Sequence, residues 1–148
     1  MAGRFSIRIF SIALLLLVSR LYAFAQADQI EHVWFNEEKS AKIQIYKGTD
    51  NKFYGKIVWL KEPDRNGKPK TDIHNPDKAR QNDPELGLVI LNGFVKDGAK
   101  GYQDGTVYDP KNGKTYSCKM TFEGNELNVR GYVGFSLLGR TTKWTRAD

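Results

Sequence analysis

Cysteine is almost missing from this 148-residue chain: Cys118 stands alone, so no disulfide can form within it and packing must hold the fold. Lying between Tyr116 and Met120 on one strand face, that thiol reads as a small buried apolar side chain rather than a reactive group. Histidine is nearly as scarce. His32 and His74 are the only two, and neither sits near a Gly-x-Ser-x-Gly turn. The spacing assembles no nucleophile, base and orienting group, which argues against an enzyme; no catalytic residue and no cofactor are expected. A sustained helical period is also missing after Ala25, since the longest helix-compatible piece, residues 76–86, is polar and interrupted by Pro84.

Long apolar runs are absent with one exception. Ile9 to Val18 is apolar apart from Ser11, falls short of the ~20 residues a membrane-spanning helix needs, and is followed by Arg20. With Arg4 and Arg8 before it and Ala23-Phe24-Ala25 after it, the segment has the layout of a secretory signal peptide. Residues 1–25 are therefore expected to be removed, leaving 26–148 as a single exported domain, periplasmic or extracellular. No cysteine lies near the cut, so neither lipid attachment there nor stable membrane insertion is expected. Segment 1–25 holds three of the 23 basic residues and none of the 17 acids, so the remainder carries a net charge of +3. That is too small and too scattered a charge to imply a nucleic-acid partner.

What is present is a series of strands. Ala41, Ile43 and Ile45 alternate with Lys42, Gln44 and Tyr46, and the turn residues Gly48 to Asn51 lead into Phe53 to Leu60, a hairpin pattern. Residues 61–83 are polar, contain Pro63, Pro69 and Pro76, and form a loop long enough to be functional, a candidate lid. Strand patterns resume at 86–94, 102–108, 115–122, 126–133 and 137–144, with tight connections such as Asp109-Pro110-Lys111-Asn112-Gly113. A short opening strand at 33–35 makes eight. With no helix to cross between parallel neighbours, the class is an all-β antiparallel meander, and closure into an eight-stranded up-and-down barrel removes its bare edges. Alternation places Tyr116, Cys118, Met120 and Phe122 on one face, and Leu127, Val129, Gly131 and Val133 on one face of the next strand.

The pieces YGKIVWL (54–60), NPD (75–77), LGLVILNGF (86–94), GTVYDPKNGKTYSCKM (105–120) and GYVGFSLLGRTTKWTR (131–146) are long and ordered. In them the chain resembles the bacterial exported proteins grouped as domain of unknown function 2147, over nearly all of the mature region. The resemblance implies a lipocalin-like (calycin) barrel and no agreed activity. Calycins carry Gly-x-Trp on the first strand, its indole packed beneath an arginine of the last strand; Trp34 and Arg146 are the matching closure pair, with His32 in the glycine position.

Candidate chemistry narrows to a pocket. Phe53, Gly55, Ile57 and Trp59 alternate along one strand face, while Tyr108 and Tyr116 add rings with hydroxyl handles, so Phe53, Ile57, Trp59, Tyr108, Tyr116 and Met120 form the expected ligand-binding set. In the competing reading, rings simply fill a small barrel. Asp72, His74, Asn75 and Asp77 cluster, but a calcium loop begun at Asp64 needs a glutamate where Asn75 stands, and Asx turns explain the composition; no metal site is expected. Gly131, Gly134 and Gly139 lack the Lys-Ser/Thr and the helix of a phosphate loop and suit barrel corners. The favoured reading is an exported protein that holds a small apolar or amphipathic molecule in a barrel cavity. The alternative is a cell-envelope protein-interaction module on a packed barrel, its protein partner unknown. A hydrolase is the third and weakest reading.

Overall fold

The computed structural model describes residues 27–148; the expected signal peptide lies outside the described residues. Ten strands follow in order: β1 (Val33–Phe35), β2 (Ala41–Lys47), β3 (Phe53–Leu60), β4 (Asp64–Arg65), β5 (Lys68–Pro69), β6 (Val89–Asp97), β7 (Gly101–Asp109), β8 (Lys114–Glu123), β9 (Glu126–Tyr132) and β10 (Gly139–Arg146). Eight of them close into a barrel in the order β1-β10-β9-β8-β7-β6-β3-β2, each neighbour antiparallel, as the strand count leads one to expect. The remaining two, β4 and β5, pair as a small ribbon inside the segment expected to be loop. Asn66 and Gly67 at its turn have φ of 52° and 74°, the left-handed pair that joins two strands without splaying them. Of the helix-compatible piece at 76–86, only a single 3-10 turn forms, Lys78–Arg80, capped by the Asp77 side chain.

Strand alternation fills one half of the barrel. Ile45, Phe53, Phe94, Tyr102, Met120 and Leu127 are buried there, and the Phe53 and Tyr102 rings meet edge to face at 5.2 Å. The Phe94 ring occupies the space above Gly105, where a Cβ would come within 2.4 Å of it, so the glycine admits the ring to the axis. The segment before β1 plugs this end. Ile30 is fully buried, the Asp28 carboxylate accepts from the Tyr102 hydroxyl and pairs with Lys96, and Gln29 donates to the Ala99 carbonyl at 2.7 Å. Beneath it, the Trp34 Nε1 donates to the Ile30 carbonyl at 3.0 Å.

One face assignment is corrected. Ile43 stands opposite Ile57 and Lys42 opposite Trp59, so Val58 is an extra residue on β3, a bulge. The extra residue reverses the alternation beyond it, since the side-chain period is two. Trp59, expected on the face of Phe53 and Ile57, is therefore on the outer surface, edge to face with Phe35 at 6.1 Å and beneath the Lys42 ammonium at 5.4 Å.

Candidate functional site

The end opposite the plug is open, and above the packed half lies a cavity of about 1060 Å³. Ile43, Ile57, Leu60, Ile90, Val107 and Val129 supply apolar wall from five strands. Trp144 adds an indole to one side. Its Nε1 donates to Thr142 Oγ1 at 3.2 Å, so the ring presents carbon to the cavity while its polar edge is already satisfied. The Tyr116 hydroxyl accepts from Asn112 Nδ2 at 3.2 Å and keeps its own proton to donate.

Of the six residues expected to bind a ligand, Ile57, Tyr108 and Tyr116 line this cavity. Phe53 and Met120 sit in the packed half beneath it, and Trp59 is outside the barrel. Ile43, Leu60, Ile90, Val107, Val129 and Trp144 also form wall and were not among the residues expected from the sequence. The inward alternation of Ile43 and Val129 was visible; which end of each strand would stay open was not.

The long connection from β3 to β6, read as a candidate lid, is fastened as a wall. Asp72 is fully buried, accepting from the Tyr108 hydroxyl at 2.7 Å and from Asn75 Nδ2 at 2.7 Å. Burial first, and then the bond to the Asp72 carboxylate, raises the Tyr108 phenol above its ordinary range. Gly113 locks the same loop from the other side: its φ is +71° and a Cβ would stand 1.9 Å from the His74 carbonyl oxygen. Only glycine admits that approach. Arg65 reaches Glu85 at 3.3 Å within the segment.

Asn75 and Asp77 are satisfied by Asp72, by one another and by nearby backbone. Asn75 Oδ1 accepts from the Asp77 amide at 2.9 Å and Asp77 Oδ1 from the Ala79 amide at 3.0 Å. Among the described residues, no group of three His, Cys, Asp or Glu side chains is arranged to hold a metal ion. Cys118 is fully buried on β8, and burial pushes its thiol up to about 12, so it carries no thiolate at neutral pH.

Around the mouth the charges are paired. Arg140 meets Glu37 at 3.3 Å and Lys111 meets Glu38 at 2.6 Å, contacts that tie the β1–β2 connection to the neighbouring strand β10 and to the β7–β8 turn. The Lys111 ammonium, hydrogen-bonded to Glu38, holds that carboxyl below its ordinary range. Exposed pairs of this kind add little stability, and their balance leaves the rim without a strong field of either sign. The arrangement suits a molecule whose bulk is apolar and whose polar end stays at the rim.

Residues 33–146 match a bacterial family described as "Uncharacterized protein conserved in bacteria", grouped as domain of unknown function 2147. No curated protein sequence matches. Among solved structures, a protein of the human pathogen Helicobacter pylori, described as belonging to the lipocalin family, is similar with a TM-score of 0.73 at 23% identity, over 82% of this chain and 84% of that one. At that identity the likeness establishes the fold, which is lipocalin-like.

Proposed function

We propose a carrier function for this chain, which belongs to the family of uncharacterized proteins conserved in bacteria: it holds a small apolar or amphipathic molecule in the open half of its barrel. The observation that carries the reading is the cavity of about 1060 Å³, lined by aliphatic side chains and Trp144 together with charged residues such as Arg65, Lys70 and Glu85. A volume of that order accommodates a drug-sized or lipid-like molecule. The tail would rest on the floor beside Trp144 and Ile57, and the polar end would meet Tyr116 and His74 near the rim. The basic and apolar layout of residues 1–25 supports a place of action outside the cytoplasm. The alternative, a cell-envelope interaction module on a packed barrel, is favoured less by a cavity of this volume.

Tryptophan fluorescence tests the reading because the three indoles sit in different places. Trp144 borders the cavity, Trp34 is buried in the plugged half and Trp59 is on the outer face. Titration with palmitate and with anilinonaphthalene sulfonate should change the emission saturably in the wild type and in Trp59→Phe, and leave Trp144→Phe nearly unresponsive. No saturable change with either probe, together with no retained small mass in native mass spectra of protein from its own host, would overturn it.

A further inference from the structure

The largest apolar exposure among the described residues is concentrated in the connection between β9 and β10. Val133 is 66% exposed, Phe135 78%, Leu137 88% and Leu138 69%, a contiguous group rather than scattered single residues. The loop is not slack. The Val133 amide donates to the Leu138 carbonyl at 3.1 Å and the Leu138 amide to the Phe135 carbonyl at 2.9 Å, with Gly134 at φ +69° making the bend. Arg130 braces it from β9, its Nε donating to the Ser136 carbonyl at 2.7 Å, one Nη to the Leu137 carbonyl at 3.3 Å and the other to Thr141 Oγ1 at 3.0 Å. The guanidinium is thus spent on holding the backbone while Phe135 and Leu137 point away from the barrel's packed interior.

Position and charge narrow what this finger meets. Val133 and Leu138 also line the mouth of the cavity, so the exposed tip and the cavity wall form one continuous apolar surface. Two cations stand at this loop, Arg130 bracing its backbone and Arg140 at the start of β10, where it also meets Glu37; residues 127–147 hold no acidic side chain. A two-fold contact between the same loops of two copies would bring these cations against their own kind. An anionic apolar-cored surface would not. No helix among the described residues is long and apolar enough to cross a membrane.

We infer that the 133–138 loop docks on the surface of a lipid bilayer containing anionic lipid, with Phe135 and Leu137 entering the acyl boundary and the cavity mouth facing it. The contact lets an amphipathic molecule move between bilayer and cavity without crossing water; that purpose rests on the carrier reading, whereas the docking itself does not. Flotation with phosphatidylcholine vesicles containing phosphatidylglycerol tests it. The wild type should float with the vesicles, more weakly when phosphatidylglycerol is left out. The double substitution Phe135→Ser/Leu137→Ser should weaken binding roughly a hundredfold, the effect of withdrawing two large apolar side chains from burial. Val58→Ser, which removes an exposed apolar side chain from the outer wall of β3, should leave flotation unchanged. The inference is overturned if the wild type stays in solution, if the double variant floats as well as the wild type, or if size-exclusion chromatography shows a dimer that the double variant disperses. Probe binding followed by tryptophan emission without vesicles reads the carrier function separately, so each can fail while the other stands.

Discussion

The Arg146 guanidinium stands 5.4 Å from the centroid of the Trp34 indole, and the two residues are partners in the register between the first and last barrel strands. That seam is the shortest in the barrel, with Phe35 and Thr145 its only other partners, so the side-chain contact supports closure where backbone pairing is least. Trp34 is fully buried and the arginine covers it from the solvent side.

Replacing the arginine should therefore loosen the seam. Arg146→Ala is expected to lose about 1 kcal/mol in urea unfolding, the worth of a cation–π contact with one face exposed. Arg146→Lys should recover only part of it, because an ammonium keeps the charge but not the planar stacking. Equal stability of all three proteins would show that the contact contributes nothing.

Tyr108→Phe removes one of the two side-chain donors to a fully buried carboxylate. The variant should be less stable by ~1–3 kcal/mol, the range for stranding a buried polar group. Amide exchange should quicken at residues 71–76, since the same bond fastens the wall segment to β7. Unchanged exchange there would mean that the Gly113 approach alone holds the loop.

Alkaline pH should destabilise the protein in a defined order. The folded-state value of Cys118 is raised from 9.0 to about 12, so its contribution is fully present below 9 and is lost as pH rises from 9 towards 12. Tyr108 and Tyr102 are also raised, both by burial first, so their contributions disappear only once pH climbs above the ordinary tyrosine value of 10.0. Cys118→Ala should make the fall of unfolding free energy above pH 9 shallower by about 1.4 kcal/mol per pH unit, the slope of one proton. An identical slope in wild type and variant would place the proton elsewhere.

Gly131 offers a way to fill the cavity without disturbing the frame. A Cβ there would meet Val107 Cγ1 at 3.4 Å and Tyr116 Cβ at 3.7 Å, ordinary contacts. Gly131→Ala should be neutral or stabilising by up to about 0.5 kcal/mol, from the chain entropy glycine loses on folding. Gly131→Phe should fold and weaken palmitate binding at least ~10-fold, about 1.4 kcal/mol. Full affinity in the phenylalanine variant would move the binding site away from this wall.

The strand pattern was legible because alternation is a local property. Ala41, Ile43 and Ile45 face inward as their spacing requires, and Asp109 to Gly113 turns where its composition says it must. The site was only partly legible. Alternation carries Phe53 and Ile57 to the same face, but one lies in the packed half and the other in the cavity, a difference of height along the barrel that no period encodes. Trp59 was misplaced for a related reason: the bulge at Val58 is a mismatch between two strands, and the sequence of one strand does not show it. The buried Asp72 looked like one polar residue among many until Tyr108, distant in sequence, was seen to reach it.

Alternation and turn composition along the chain were enough for the class: eight antiparallel strands, no disulfide within the chain, and a tryptophan and an arginine on the strands that must meet. Tertiary structure alone decided that half of the barrel is solid and half is hollow. Side-chain volume is summed across strands far apart in the chain, and only where Phe94, Tyr102, Phe53 and Met120 converge on one level does that sum close the interior.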